Sequence, residues 1–125
     1  MAKYDETNIQ SAILVAHSQA GALTWRNQVG TFRAMDNPQR VVKIGTPGMA
    51  DIISVVPVVI TESMVGKTIG VAVATEVKTA TGAQGHKQKL WQHAFQARKG
   101  IYLIARSADQ ALAQLASLPE RIARS

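Results

Sequence analysis

The stretch Ile69-Gly70-Val71-Ala72-Val73-Ala74-Thr75-Glu76-Val77-Lys78 decides how the rest of the chain is read. It alternates. Ile69, Val71, Val73, Thr75 and Val77 fall on one side of an extended strand; Gly70, Ala72, Ala74, Glu76 and Lys78 fall on the other. The pattern predicts a strand, more buried than its predecessor, that ends with a carboxylate and an ammonium side by side on a face of small residues. Outward from it, Thr79-Ala80-Thr81-Gly82-Ala83 is a loop, and 84–99 reads as a helix with Leu90, Trp91, Ala94 and Phe95 as its apolar stripe. Gly100 ends that helix and Ile101 to Ala105 is a strand. Ser107 with Gln110 three residues on is a capping box. It opens a helix with Ala111, Leu112 and Leu115 inward, closed near Pro119.

Toward the N-terminus, Asp51 to Ile60 reads as a strand, with Pro57 marking an edge or bulge. Val41 to Ile44 is a brief strand, and Trp25, Val29 and Phe32 fit a short strand with a turn at Gly30. Ile9, Ile13, Ala16 and Ala20 carry a helix over 5–20 that stops at Gly21. The expected fold class is α/β: a single domain over 1–125 with a small central mixed β-sheet flanked by helices.

Composition narrows the function. The chain has 125 residues, 46% of them hydrophobic, which excludes wholesale disorder. No cysteine is present, so disulfides, thiolate nucleophiles and cysteine-ligated zinc are excluded. Ile52 to Ile60 is too short to span a bilayer. The first residues hold no apolar core of a secretory signal, so the expected location is the cytoplasm, with no membrane partner. The net charge is +6. Residues 1–62 balance five basic against five acidic side chains, whereas 63–125 carry nine basic and three acidic. A one-sided basic excess points to a polyanion such as nucleic acid.

Asp51 begins the strand that precedes Glu76's. If those two strands are neighbours, both carboxylates converge at one sheet end, and with a backbone carbonyl they form an oxygen-rich site suited to Mg²⁺ or Mn²⁺. The competing reading makes Asp51 a loop residue that satisfies turn amides. Glu6 shares the stripe of Ile9 and Ile13, and Gln88 shares that of Trp91 and Phe95, so both polar groups need a partner. Each also has a plainer reading, Glu6 as a helix-dipole acid and Gln88 as an exposed first-turn residue.

Gly48-Met49-Ala50-Asp51-Ile52, Glu76-Val77-Lys78, Gly82 and Gln88, in that order, resemble the virus-type replication-repair nuclease (VRR-NUC) family of the PD-(D/E)xK superfamily. Glu6-Thr7-Asn8-Ile9-Gln10, Trp25-Arg26-Asn27-Gln28-Val29-Gly30 and Gly100 to Ser107 are similar to its opening helix, its aromatic-Arg-Asn segment and its last core strand. One departure is Ala50, where the superfamily often has Pro. The resemblance implies a restriction-endonuclease-like αβββαβ core and phosphodiester hydrolysis by metal-activated water. It implies Asp51, Glu76 and the Val77 carbonyl as ligands of Mg²⁺ or Mn²⁺, Lys78 and Gln88 as further catalytic residues, and Glu6 at a second metal position. It also implies a homodimer acting on branched or four-way-junction DNA in a bacterial or phage-infected cell.

Arg26, Arg33, Lys87, Lys89, Arg98 and Lys99 are the candidate DNA-binding residues. The alternative is a non-catalytic nucleic-acid-binding or assembly module with the same fold. Other motifs drop out. Gly66-Lys67-Thr68 lacks the Gly that a P-loop needs at position 61, which is Thr. His86 and His93 are seven apart, too wide for a helical zinc pair, and Ser107 has no His–acid partners.

Overall fold

The computed structural model describes residues 3–125. The chain is mixed α/β, and it divides into two compact units, 1–56 and 57–125. Among the described residues no helix is long and apolar enough to cross a membrane.

The first unit holds helix α1 (Lys3–Gln19) and strands β1 (Leu23–Arg26), β2 (Gly30–Arg33), β3 (Val41–Ile44) and β4 (Ile52–Val55). Helix α1 ends where the sequence expects: Gly21 takes φ +97, and the Ala22 amide donates to the His17 carbonyl at 3.1 Å. β1 pairs antiparallel with β4, and Leu23 lies opposite buried Val55. β2 and β3 form an antiparallel hairpin whose loop is closed by an Arg40–Asp36 ion pair at 2.8 Å. A polar chain ties α1 to the β1–β4 pair. Ser54 Oγ donates to Thr24 Oγ1 at 2.7 Å, and Thr24 Oγ1 donates to the Ile53 carbonyl. His17 Nδ1 lies within hydrogen-bond distance of Ser54 Oγ, at 3.2 Å.

The expected face of α1 is not the one that packs. Ile9 and Ile13 are exposed, as is Glu6, while Gln10 and Leu14 are half-buried. Glu6 therefore has no buried stripe that obliges it to find a partner.

The second unit holds a single 3₁₀ turn (Glu62–Met64), β5 (Val73–Val77), α2 (His86–Ala97), β6 (Ile101–Ala105), α3 (Ala108–Ala116) and α4 (Leu118–Arg124). β5 and β6 are parallel neighbours joined through α2, a βαβ unit, with Glu76 level with Ile104 and Ala74 level with Tyr102. The Ala72 carbonyl accepts from Ile101 N–H and Lys78 N–H donates to the Ala105 carbonyl. These flanking bonds set the phase of the ladder. Even-numbered residues of β5 bond to β6, and the N–H and C=O of Thr75 and Val77 point to the other edge. On β6 the outward carbonyls are those of Tyr102 and Ile104. Arg121 Nη2 donates to the first at 3.3 Å and Gln114 Nε2 to the second at 3.0 Å, so side chains of α4 and α3 close that edge.

Several expectations are corrected. Each strand takes its sheet partner within its own unit, and the strands form three separate two-stranded pairs instead of one central sheet. The strand expected over 51–60 stops at Val55, because Pro57 has no N–H and restricts Val56 before it. The strand expected over 69–78 begins only at Val73, which is level with Ile101, the first residue of its partner. Nor is that strand more buried than its predecessor: β4 ends in buried Val55, whereas no residue of β5 is buried, and the most buried strand is β6, where Ile101, Tyr102, Leu103 and Ala105 are all buried and helices α2 and α3 pack on it. On β5 the valine-rich side is the open one, with Val77 79% exposed, and the Glu76 side is half-covered.

In α2, Phe95 is the buried anchor while Leu90 is exposed. Its end is set by Lys99 in the left-handed region at φ 69, with the Gly100 amide donating to the Phe95 carbonyl. Gly100 is required for another reason: a Cβ there would overlap the Phe95 ring. In α3, Leu112 and Leu115 are exposed, contrary to expectation. Ser107 Oγ does cap Gln110 N–H at 3.1 Å, but Gln110 Oε1 accepts from Arg106 N–H, so the reciprocal half of the box shifts by one residue. Pro119 opens α4 instead of merely closing α3, a position where its missing N–H costs nothing.

Candidate active site

Alternation along β5 puts Glu76 and Lys78 on one face, as the sequence requires, and the βαβ connection lays α2 over that face. The Glu76 side chain is 8% exposed and the Lys78 side chain 19%. Glu76 Oε1 accepts a hydrogen bond from the Tyr102 hydroxyl, and Gln84 Nε2 approaches the same oxygen at 3.5 Å. Glu76 Oε2 is buried and makes no hydrogen bond; its neighbour is Lys78 Nζ at 3.5 Å. Lys78 Nζ donates to Gln88 Oε1 at 2.9 Å, and Gln88 Oε1 also accepts from Gly85 N–H at 3.0 Å, before the first turn of α2. Gln88 is thus exposed yet partnered, as N3 of α2 and holder of Lys78. Ala74, Thr75, Glu76, Gln88, Trp91 and Tyr102 line a cavity of ≈ 260 Å³.

Three residues that sequence reasoning missed complete the cluster. Gln84 Nε2 donates to Gln92 Oε1 at 2.7 Å. Gln84, Gln88 and Gln92 recur every four residues, the signal of one helix-side line. Tyr102 is the one hydroxyl-bearing residue in the otherwise aliphatic run Ile101 to Ala105. Beside them, Arg106 Nη1 donates to the carbonyls of Thr79 and Gly82, pinning the loop that leads from Lys78 to Gln84.

Burial raises the Glu76 carboxyl pKa, but the hydrogen bonds from Tyr102 and Gln84 and the Lys78 ammonium outweigh it and hold the group below its ordinary 4.5. Burial and the adjoining Glu76 carboxylate push the Tyr102 phenol above 10.0. A carboxyl depressed by folding stabilises the fold above its unfolded value and loses that contribution as pH falls through the folded one. A phenol raised by folding contributes below 10.0 and loses it as pH rises through the folded value. Metal-free protein is therefore expected to hold a stability plateau from about pH 5 to 9 and to weaken on both sides. Urea unfolding at stepped pH checks this, and Tyr102→Phe should flatten the alkaline side.

In the first unit, Asp51 is exposed at the start of β4. Asn27 fixes its backbone: Asn27 N–H donates to the Asp51 carbonyl at 2.8 Å and Asn27 Nδ2 to the Ala50 carbonyl at 3.1 Å. The turn before it is closed by Met49 N–H on the Thr46 carbonyl. No group of three or more His, Asp or Glu able to hold a metal gathers among the described residues. The expected ligand set has two carboxylates and a carbonyl.

The basic residues fall into two kinds. Lys87, Lys89 and Lys99 are exposed. Arg26 and Arg33 are exposed too, but they and half-buried Arg98 each make a hydrogen bond, to Ser11 Oγ, the Pro38 carbonyl and the Ala94 carbonyl. Lys87 and Lys89 stand about 200° apart around α2, so they flank Gln88 instead of forming one line. No family model matches the chain, and no curated protein or solved structure matches it either.

Proposed function

We propose that this chain is a Mg²⁺- or Mn²⁺-dependent endodeoxyribonuclease with a restriction-endonuclease-like core, acting as a cytoplasmic homodimer on branched DNA. One observation carries the reading. A buried carboxylate oxygen without a hydrogen bond, Glu76 Oε2, stands beside a lysine that a glutamine holds in place. Its close partner is the Lys78 ammonium at 3.5 Å, and a buried carboxylate paired with a lysine beside a cavity suits a site that handles cations and phosphate.

Glu76 would hold the ion together with the Val77 carbonyl, which the ladder phase directs away from β6; Asp51, on the other unit, is the further ligand that the resemblance implies. When bound, the ion lowers the pKa of its water and offsets charge on the reacting phosphate. Lys78 supplies a fixed positive charge for the phosphate oxygens, and its Gln88 bond means little reorganisation is needed when charge develops there. Exposed Lys87, Lys89 and Lys99 supply phosphate contacts that carry no sequence information, in keeping with selection by DNA shape.

The test is cleavage of a labelled four-way junction and of a linear duplex of the same sequence, with Mn²⁺, with Mg²⁺ and with chelator. Metal-dependent cuts in the junction, lost in Asp51→Ala, are expected. Equal trace cleavage by wild type and Asp51→Ala would refute catalysis, and tight DNA binding without any divalent ion would favour the non-catalytic module.

A further inference from the structure

A glutamate side chain has three rotatable bonds, so a carboxylate on a strand surface does not by itself offer one chosen oxygen. Here the two oxygens of Glu76 are treated differently. Oε1 is engaged by the Tyr102 hydroxyl and approached by Gln84, which is itself bonded to Gln92 at 2.7 Å. Oε2 makes no hydrogen bond, and its neighbour is the Lys78 ammonium at 3.5 Å. Tyr102 is well placed to impose this. It is 7% exposed, it stands on β6 level with Ala74, two residues before Glu76 on the same side of the strand, and its ring lies 6.1 Å from that of Trp91 on α2. Burial and the neighbouring Trp91 ring restrict the phenol, which favours a fixed position for its hydroxyl.

We infer that Tyr102, with the Gln84–Gln92 pair behind it, is a positioning residue for the cation site: it ties down Glu76 Oε1 and leaves Oε2, beside the Lys78 ammonium, as the oxygen that meets the ion. The inference rests on the metal-dependent reading above and adds the device that orients its ligand. Groups that orient a ligand in this way typically change metal affinity 10–100-fold when removed, though they never touch the ion.

The experiment is calorimetric titration of Mn²⁺ alone, without DNA, into the full chain. Wild type, Tyr102→Phe and Ile104→Val are compared, with melting temperatures recorded beside them. Tyr102→Phe keeps the ring and deletes only the hydroxyl. Ile104→Val disturbs the strand level with Glu76 without touching a hydrogen bond. Affinity for Mn²⁺ should fall at least about tenfold in Tyr102→Phe and stay at the wild-type value in Ile104→Val. Should Tyr102→Phe fail to fold, Gln84→Ala takes its place, and a severalfold loss is expected. Wild-type affinity in Tyr102→Phe, or an equal loss in Ile104→Val, overturns the positioning role while the metal site stands. A wild-type chain that binds no Mn²⁺ and cuts no junction overturns the nuclease reading and this inference together.

Discussion

Glu76→Gln is expected to lower metal-dependent junction cleavage about a thousandfold while the chain stays folded. The substitution keeps the volume and shape of the side chain, and its amide oxygen can still accept from the Tyr102 hydroxyl. It replaces Oε2, the oxygen beside the Lys78 ammonium, by an NH₂, which cannot ligate a cation and carries no charge. A bound ion supplies several kcal/mol of charge stabilisation, and about 4 kcal/mol corresponds to a thousandfold in rate. Lys78→Ala should cost about 10²–10³, the scale of one preorganised electrostatic contact. Mn²⁺ binding without DNA separates the two. Glu76→Gln should lose it, whereas Lys78→Ala should keep it, because Lys78 donates to Gln88 and ligates nothing. Cleavage by Glu76→Gln within tenfold of wild type would end the assignment.

The largest loss of stability is expected from Phe95→Ala. Phe95 is 3% exposed, stacks on Trp91 with centroids 4.9 Å apart at 20°, and has Gly100 pressed against its ring. Deleting the ring removes its transfer free energy and leaves a cavity, about 3–5 kcal/mol for a buried phenylalanine. Little relaxation is available, because α2 and α3 both pack against β6, which is itself buried. A loss of that size is a large share of the total stability of a small unit. Leu112→Ala is the control. Leu112 is 69% exposed, so its loss should stay within about 0.5 kcal/mol. Urea midpoints for both variants measure the contrast, and equal midpoints would show that Phe95 is not the anchor.

Local chemistry was readable from the sequence, and layering was not. The Ser107 cap, the Gly21 stop, α2, β6 and the same-side placement of Glu76 and Lys78 depend on residues within a few positions of one another. Burial depends on what covers a face, which period-2 alternation cannot say. Alternation correctly separated the valine side of β5 from the Glu76 side, yet the valines are the open ones because α2 lies over the acid. Helix α1 has the same fault, where an apolar stripe at Ile9 and Ile13 is exposed beside half-buried Gln10 and Leu14. At the site, the Glu76–Lys78 pair was visible, and Gln88 carried a correct demand for a partner. Tyr102 was passed over because 24 residues separate it from Lys78, and only the parallel pairing of β5 with β6 brings it to Glu76. Asp51 and Glu76 remain on separate units, each with its own hydrogen-bonded setting.

The one-sided edges of the parallel pair have a consequence for amide exchange with heavy water. Glu76 and Lys78 point their N–H groups into the ladder, while Thr75 and Val77 point theirs to the edge where the sheet has no further strand among the described residues. Neighbouring amides of one short strand should therefore exchange at alternating rates, fast at 75 and 77, slow at 76 and 78. A ligand that gathers on the Val77 carbonyl edge would slow the fast pair first. The strand thus carries its own reporter of occupancy, readable residue by residue without any substrate being cut.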